Sequence, residues 1–150
     1  KDQPVPGDYD GDGQADCAVW QPDSGAWLIQ FSSGQRLTQH WGAGGAPYLD
    51  VPVPGDYDGD GQTDIAVWRS GTWYIWPSAS ASVRTLAWGA DYAPYFDQAV
   101  PFDYDGDGQA DVAVWRAAEG RWYIRCSLDG SLMMRTQAQN SAVPVAARQP

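Results

Sequence analysis

The string DYDGDGQAD at residues 8–16 returns as DYDGDGQTD at residues 56–64 and again as DYDGDGQAD at residues 103–111. The three copies begin 48 and then 47 residues apart. Self-similarity at a period of roughly 20 to 50 residues is typical of arrays in which each repeat is one supersecondary unit. The 150-residue chain is therefore predicted to be a single unit, residues 1–150, built from three stacked copies of one motif.

Each copy of the string has Asp at its first, third, fifth and ninth positions and Gly at its fourth and sixth. Short carboxylates at alternate positions of a tight turn can converge on a hard cation, which takes about six to eight oxygen ligands. Gln at the seventh position would add its backbone carbonyl. An all-oxygen ligand set favours calcium over zinc or copper. The sequence therefore predicts three structural calcium ions per chain, one per repeat, held by Asp8, Asp10, Asp12, Gln14 and Asp16; by Asp56, Asp58, Asp60, Gln62 and Asp64; and by Asp103, Asp105, Asp107, Gln109 and Asp111.

The residues after each loop alternate between apolar and polar and are rich in β-branched and aromatic types, which is typical of strands. In the second repeat, VPVPGDYD leads into the loop, DIAVWR follows, a Ser70-Gly71 turn reverses the chain, and TWYIWPS and VRTLAWG complete the unit. Four strands are the content of one propeller blade. The prediction is an all-β fold of three four-stranded antiparallel blades, over approximately residues 4–47, 52–94 and 99–145. In the third blade, Gln139-Asn140 is expected to replace the terminal Trp-Gly.

These motifs resemble FG-GAP or VCBS repeats, the calcium-binding blades found in integrin α-subunit propellers, many bacterial secreted proteins and a fungal lectin. The resemblance rests on the Asp/Gly loop followed by DxAVW, the WYI or WLI strand and the terminal Trp-Gly, and it spans nearly the whole chain. It implies a calcium ion in the loop between the first and second strands of each blade. It also implies a secreted, extracellular protein.

The net charge of −10 comes mainly from the loops, which contain 12 of the 18 Asp residues. An acidic chain without a basic stripe is not expected to bind nucleic acid or an anionic membrane surface. No hydrophobic run approaches the 18 or so residues of a membrane span, so membrane insertion is not expected either.

Three blades pose a problem of closure, because propellers have about four to eight blades and an open arc exposes apolar sheet faces at both ends. Either two chains join head to tail as a six-bladed homodimeric ring, or the chain is part of a longer propeller. Cys17 and Cys126 lie in the first and third repeats. They are either two separate thiols or a disulfide across a junction between chains.

The connections between repeats contain aromatic and acidic residues that a blade does not need. An aromatic ring beside a carboxylate suits a sugar, and the resemblance to a lectin supports the same function. The sequence therefore predicts a glycan-binding, lectin-like propeller, with a protein-protein or adhesion module, or a non-catalytic fragment of a larger secreted protein, as the alternatives. No catalytic constellation is visible, so an enzyme is not expected. The predicted sugar-binding residues are Tyr48, Asp50, Tyr95, Asp97, Trp41 and Trp88.

Overall fold

The computed structural model describes residues 1–137, and in this part of the chain it contains twelve β-strands and no helix. The first blade contains β1 Gln3–Pro4, β2 Cys17–Gln21, β3 Ala26–Gln30 and β4 Arg36–His40; the second contains β5 Val51–Pro52, β6 Ile65–Arg69, β7 Thr72–Trp76 and β8 Arg84–Ala87; the third contains β9 Gln98–Ala99, β10 Val112–Arg116, β11 Arg121–Arg125 and β12 Leu132–Thr136. Among the described residues, none forms a helix that could span a membrane.

The strands form three separate four-stranded sheets, each ordered as the chain runs, β1-β2-β3-β4, β5-β6-β7-β8 and β9-β10-β11-β12. Every pairing is antiparallel. The predicted all-β fold of three four-stranded antiparallel blades is confirmed. The predicted end of the third blade, residue 145, lies outside the described residues, and closure into a ring stays a prediction.

A cross-strand pair of tryptophans lies at the centre of each blade. Trp68 in β6 is directly opposite Trp73 in β7, and both are almost completely buried. The other blades repeat the pair as Trp20 with Trp27 and Trp115 with Trp122. Because side chains alternate between the two faces of a strand, these large rings all lie on one face of their sheet. That face becomes the core between one blade and the next.

The opposite face of each following blade packs into this core. Val67 of the second blade is buried in the cluster that contains Trp20 and Trp27. Gly42, of the first Trp-Gly pair, lies against the same valine with φ +80°, and a Cβ atom built there would be 2.7 Å from Val67 Cγ1. Gly89 has the same relation to Val114 of the third blade, at 2.8 Å. Glycine therefore ends each of the first two blades because a side chain would separate the blades.

The strand register corrects one detail of the sequence prediction. His40, Ala87 and Thr136 occupy equivalent pairing positions at the ends of the outer strands. The next residue in the third blade is Gln137, which therefore stands where the other blades have Trp. The prediction that Gln139-Asn140 replaces Trp-Gly is wrong by two residues, because the outer strand ends earlier than the sequence pattern indicated; Gln139-Asn140 lies outside the described residues.

Candidate metal loops and inter-blade connectors

Loop 1 (residues 8–16), loop 2 (residues 56–64) and loop 3 (residues 103–111) each join the first and second strands of a blade. The first-position Asp shapes each loop by accepting hydrogen bonds from backbone N–H groups. The Asp8 carboxylate accepts from Gly11 and Gly13, both at 2.7 Å, and Asp56 accepts from Gly59 and Gly61 at 2.6 and 2.9 Å. The loop is folded by its own carboxylates, so its shape follows directly from the Asp spacing.

The ninth-position Asp is buried in all three loops, with 2 % exposure at Asp16, 1 % at Asp64 and 0 % at Asp111. Each of these carboxylates connects two parts of its own blade. Asp64 accepts the N–H of Tyr57 at 2.8 Å with one oxygen and the N–H of Ser78, after β7, at 2.6 Å with the other. The carboxylate therefore ties the loop to the end of the third strand.

A serine after the third strand is a loop partner that the sequence analysis missed. Ser78 Oγ donates to the fifth-position Asp60 at 2.8 Å, and Ser127 Oγ donates to Asp107 at 2.9 Å. Ser32 makes the same bond to the fifth-position Asp of loop 1. The signal was present in the sequence, because a serine follows each third strand two residues after its end. Strand patterning does not reveal it, since the partner lies 18 to 20 residues earlier.

The carboxylates of each loop lie close enough to hold one ion. Ligand oxygens from Asp8, Asp10 and Asp16 lie within 4.8 Å of one another, as do those from the equivalent residues of loop 2. In loop 3 the group consists of Asp103, Asp105 and Asp107. Asp105 Oδ2 is buried and has no hydrogen-bond partner. An orphaned carboxylate oxygen beside other carboxylates fits a hard cation, because the cation would supply the missing partner.

The pKa values of two loop carboxyls are shifted in opposite directions, one by burial and the other by hydrogen bonding. Burial raises the pKa of Asp64 to about 6, although the N–H groups of Ser78 and Tyr57 act in the opposite direction. The pKa of Asp12 lies below its ordinary value, chiefly because the Ser32 hydroxyl donates to the carboxylate. Burial of Asp64 therefore makes its charged form costly in the absence of a cation.

Two connectors, residues 43–50 and 90–97, join the blades and have the same backbone design. Both are closed at the base by a backbone hydrogen bond, from Asp50 to Ala43 at 3.1 Å and from Asp97 to Ala90 at 2.9 Å. The Asp carboxylate accepts the returning N–H of the same Ala, at 2.7 and 2.9 Å. The connectors are therefore closed loops with fixed ends.

The Asp of each connector is buried and binds an arginine of the following blade. Asp50 accepts from Arg69 Nε at 2.5 Å and from Arg69 Nη2 at 2.7 Å, and its side chain has no solvent exposure. Asp97 makes the same bidentate pair with Arg116, accepting from Nε at 2.8 Å and from Nη2 at 2.9 Å. The two predicted sugar carboxylates thus have no solvent-exposed surface, and each accepts from an arginine and from a backbone N–H. Contact between a connector and a sugar would involve the aromatic rings.

The arginines also organise those rings. The Arg69 guanidinium lies 4.3 Å from the centroid of Tyr48 and 4.9 Å from that of Tyr74. Arg116 lies between Tyr95 and Tyr123 in the same way, at 4.1 and 4.6 Å. Tyr48 remains 48 % exposed. One of its faces is therefore supported by a cation while much of the ring stays open to solvent.

Trp41 and Trp88 lie at the junctions between blades. The Trp41 indole N–H donates to the carbonyl of Tyr74 at 3.2 Å, and Trp88 donates to that of Tyr123 at 3.0 Å. Trp41 also packs edge-on against Trp76 with ring centroids 5.3 Å apart. Both predicted sugar tryptophans thus link one blade to the next and are only partly exposed.

The most exposed apolar side chains of the connectors stand beside the predicted tyrosines. Leu49 is 64 % exposed, and Tyr92 and Phe96 are each 61 % exposed. Leu49 and Phe96 have positive φ values of 53° and 44°, a region that large side chains rarely adopt. Tyr92 and Tyr95 pack edge-on at 6.0 Å. Residues in such backbone conformations cluster at active sites and ligand clamps, which makes the connectors candidate ligand sites.

The two cysteines are both free within the chain. Cys17 is exposed at the start of β2, whereas Cys126 is buried after β11. A disulfide between Cys17 of one chain and Cys126 of another stays a prediction.

Comparison with known families identifies the repeats. A family model described as FG-GAP-like repeat matches residues 8–67 and 56–114, which together span more than half of the chain. No curated protein and no solved structure gives a significant match. FG-GAP repeats often bind calcium, and the Asp groups of this chain could hold a metal ion. With its three four-stranded blades and its repeated Asp loops, the chain belongs to the FG-GAP-like repeat family.

Proposed function

We propose that this chain is a secreted, non-catalytic β-propeller module that is stabilised by calcium and binds carbohydrate through its two connectors. The observation that carries the proposal is the pair of equivalent closed connectors, each with exposed rings or apolar side chains at its tip. A sugar presents an apolar C–H face that packs on such a ring. Because Arg69 and Arg116 already hold Tyr48 and Tyr95 in position, little side-chain freedom would be lost on binding.

The two connectors differ in sequence, so their affinities for sugar can be compared within one chain. Tyr92 of the second connector stands where the first has Gly45. The second connector therefore offers a larger aromatic surface and is expected to bind sugar more tightly. Two sites on one chain would also increase avidity for clustered glycans.

A glycan array in calcium buffer, with free monosaccharides as competitors, tests carbohydrate binding. Tyr92→Ala and Tyr48→Ala should each weaken binding by roughly fivefold or more, as expected for aromatic anchors. Leu128→Ala is the matched control, because Leu128 is 71 % exposed but lies in the third blade away from both connectors. Binding to a protein ligand that monosaccharides do not compete would favour the adhesion alternative. No change in either tyrosine variant would contradict the proposed site.

The calcium part of the proposal assigns one ion to each loop. The four Asp residues and the Gln carbonyl of each loop would be the ligands, and the ion would neutralise carboxylates that are otherwise crowded within 4.8 Å. Calorimetric titration should give three ions per chain. Chelation should lower the melting temperature by about 10 °C, since a loss of a few kcal/mol shifts the midpoint of a 150-residue domain by about 2–4 °C per kcal/mol. An unchanged midpoint would refute structural calcium.

We also propose that a second copy of this chain covers the outer face of the first blade. Val19 and Leu28 on that face are equivalent to Val67 and Tyr74, which pack against the first blade. Leu28 is 36 % exposed. A third blade from another copy would present the same kind of tryptophan core that the first and second blades present within the chain. Two copies joined twice in this way make a ring of six blades.

Light scattering in calcium buffer should therefore give about twice the 16.3 kDa chain mass. Leu28→Asp should reduce the mass to that of one chain, because it introduces a charge into the junction. Val83→Asp is the control, since Val83 is 44 % exposed on the middle blade, away from both ends. A wild-type monomer would refute the two-chain ring.

A further inference from the structure

Loop 3 differs from the other two loops because a thiol lies beside its carboxylates. Cys126 follows β11 at the position that Phe31 and Pro77 occupy in the other blades. Cys126 is 4 % exposed, and its Sγ lies within 4.8 Å of carboxylate oxygens of Asp105 and Asp111. Of the potential metal-binding groups within residues 1–137, this is the only one that contains a cysteine.

Asp105 provides a second, independent indication of a ligand. Its Oδ2 atom is the one buried side-chain nitrogen or oxygen without a hydrogen-bond partner in the described part of the chain. The equivalent Asp58 Oδ2 in loop 2 accepts the N–H of Ala79 at 3.3 Å. A buried carboxylate oxygen without a donor is costly unless a cation binds it. The orphaned oxygen and the Cys126 thiol belong to the same group of side chains.

We propose that loop 3 is a mixed oxygen and sulfur site, in which Cys126 Sγ binds a thiophilic divalent cation in competition with calcium. Thiolate ligands select softer ions than carboxylates do, whereas Phe31 and Pro77 provide no donor in the other two loops. On binding, the Sγ–H bond breaks, its proton passes to the buffer, and the thiolate donates an electron pair to the metal. This inference rests on the proposed metal site of loop 3, because Asp105 and Asp111 would serve both ions.

Cys126 lines a cavity of about 330 Å³ between the second and third blades, together with Tyr57, Ile75 and Arg84. Cys17, by contrast, lies on the outer face of the first blade and does not belong to any of the potential metal-binding groups of the described residues. The two cysteines therefore provide a matched pair for an experiment.

Cadmium is a suitable probe because its thiolate complexes absorb in the ultraviolet. The C17S variant has Cys126 as its sole thiol, and C126S retains only Cys17. Titration of C17S with Cd²⁺ should produce a sulfur-to-cadmium charge-transfer band that saturates at one equivalent, with the release of one proton. C126S should lack this band and bind the tightest Cd²⁺ equivalent at least about tenfold more weakly. Excess Ca²⁺ should remove the band from C17S.

Absence of the band from C17S would overturn the proposal, even if C126S does not fold. An equal band in C126S, or a band that excess Ca²⁺ does not remove, would also overturn it. Melting of C17S with and without Ca²⁺ distinguishes a failure of the mixed site in loop 3 from a failure of the calcium sites in the proposed function. Stabilisation by calcium without a Cd²⁺ band refutes the mixed site alone, whereas no stabilisation by calcium refutes the structural calcium sites.

Discussion

Replacing Arg69 with Gln would test whether the connector depends on its buried ion pair. The Asp50 carboxylate has three donors, the N–H of Ala43 at 2.7 Å and two arginine nitrogens at 2.5 and 2.7 Å. The substitution leaves one donor and an uncompensated charge. The first blade contains the corresponding combination, since Gln21 there pairs with Asp2 at 3.2 Å.

The expected cost follows from burial and geometry. Removing one partner of a buried pair costs about 3–5 kcal/mol. The Asp50 side chain is fully buried, but that of Arg69 is 28 % exposed, so water can partly replace the guanidinium. The lower end of that range, about 3 kcal/mol, is therefore expected, and it includes the lost contacts of the guanidinium with Tyr48 and Tyr74.

Urea unfolding in calcium-saturated buffer would measure the change in the free energy of unfolding. Arg121→Gln is the control, because Arg121 is 50 % exposed and lies 3.9 Å from its nearest carboxylate, so its loss should cost less than about 0.5 kcal/mol. The double variant Arg69→Gln/Asp50→Asn should recover at least about 1 kcal/mol by removing the unpaired charge. A single variant as stable as the control, or a double variant less stable than the single one, would refute the reasoning.

Three further predictions concern the loops and the blade junction. Ser78→Ala should weaken calcium binding in loop 2 about tenfold in a calorimetric titration, while Ser82→Ala, on the exposed segment before β8, should leave it unchanged. Because burial raises the pKa of Asp64 from 3.8 to about 6, its protonated form stabilises the calcium-free fold at low pH, and this contribution is lost as pH rises through about 6. As the pH is lowered from 7 to 5, the melting temperature in chelator should therefore rise and the calcium affinity should fall. The opposite trends would contradict this prediction. Gly89→Ala should destabilise the protein by about 2 kcal/mol more than Gly108→Ala, because both glycines have φ of 90° or more but only the first would place a Cβ against the next blade. Equal losses in thermal melts would show that the close approach is unimportant.

The blade fold could be predicted from the sequence because its signals are local and repeated. The Asp spacing locates the loop, and the two-residue alternation in DIAVWR and TWYIW locates strands that pair as neighbours. Trp68 and Trp73 meet because a tight turn separates their strands. Repetition of the same pattern three times removes most of the ambiguity that a single copy would have.

The roles of single residues were harder to predict, because their partners are distant in sequence. Asp50 was predicted to bind sugar, but the arginine that holds its carboxylate is 19 residues away in the next blade. The Ser78 hydroxyl meets its loop carboxylate across 18 residues. Neither distance corresponds to a strand or turn period. The serine recurs after each third strand, but its recurrence does not indicate which carboxylate it meets. The sequence shows that Tyr48 and Tyr95 are additional to the blade pattern. It does not show that a guanidinium supports each ring.

The metal loops and the blade junctions share backbone groups, which couples the proposed calcium sites to one another. The N–H of Thr63 in loop 2 donates to the Asp8 carbonyl of loop 1 at 2.6 Å, and Ala110 of loop 3 donates to the Asp56 carbonyl of loop 2 at 2.5 Å. Asp8 and Asp56 are also the residues whose carboxylates fold their own loops. A loop that loses its ion would therefore move the carbonyl on which the next loop is anchored. Calcium binding to adjacent loops is accordingly expected to be cooperative, because each occupied loop holds its neighbour in the binding conformation.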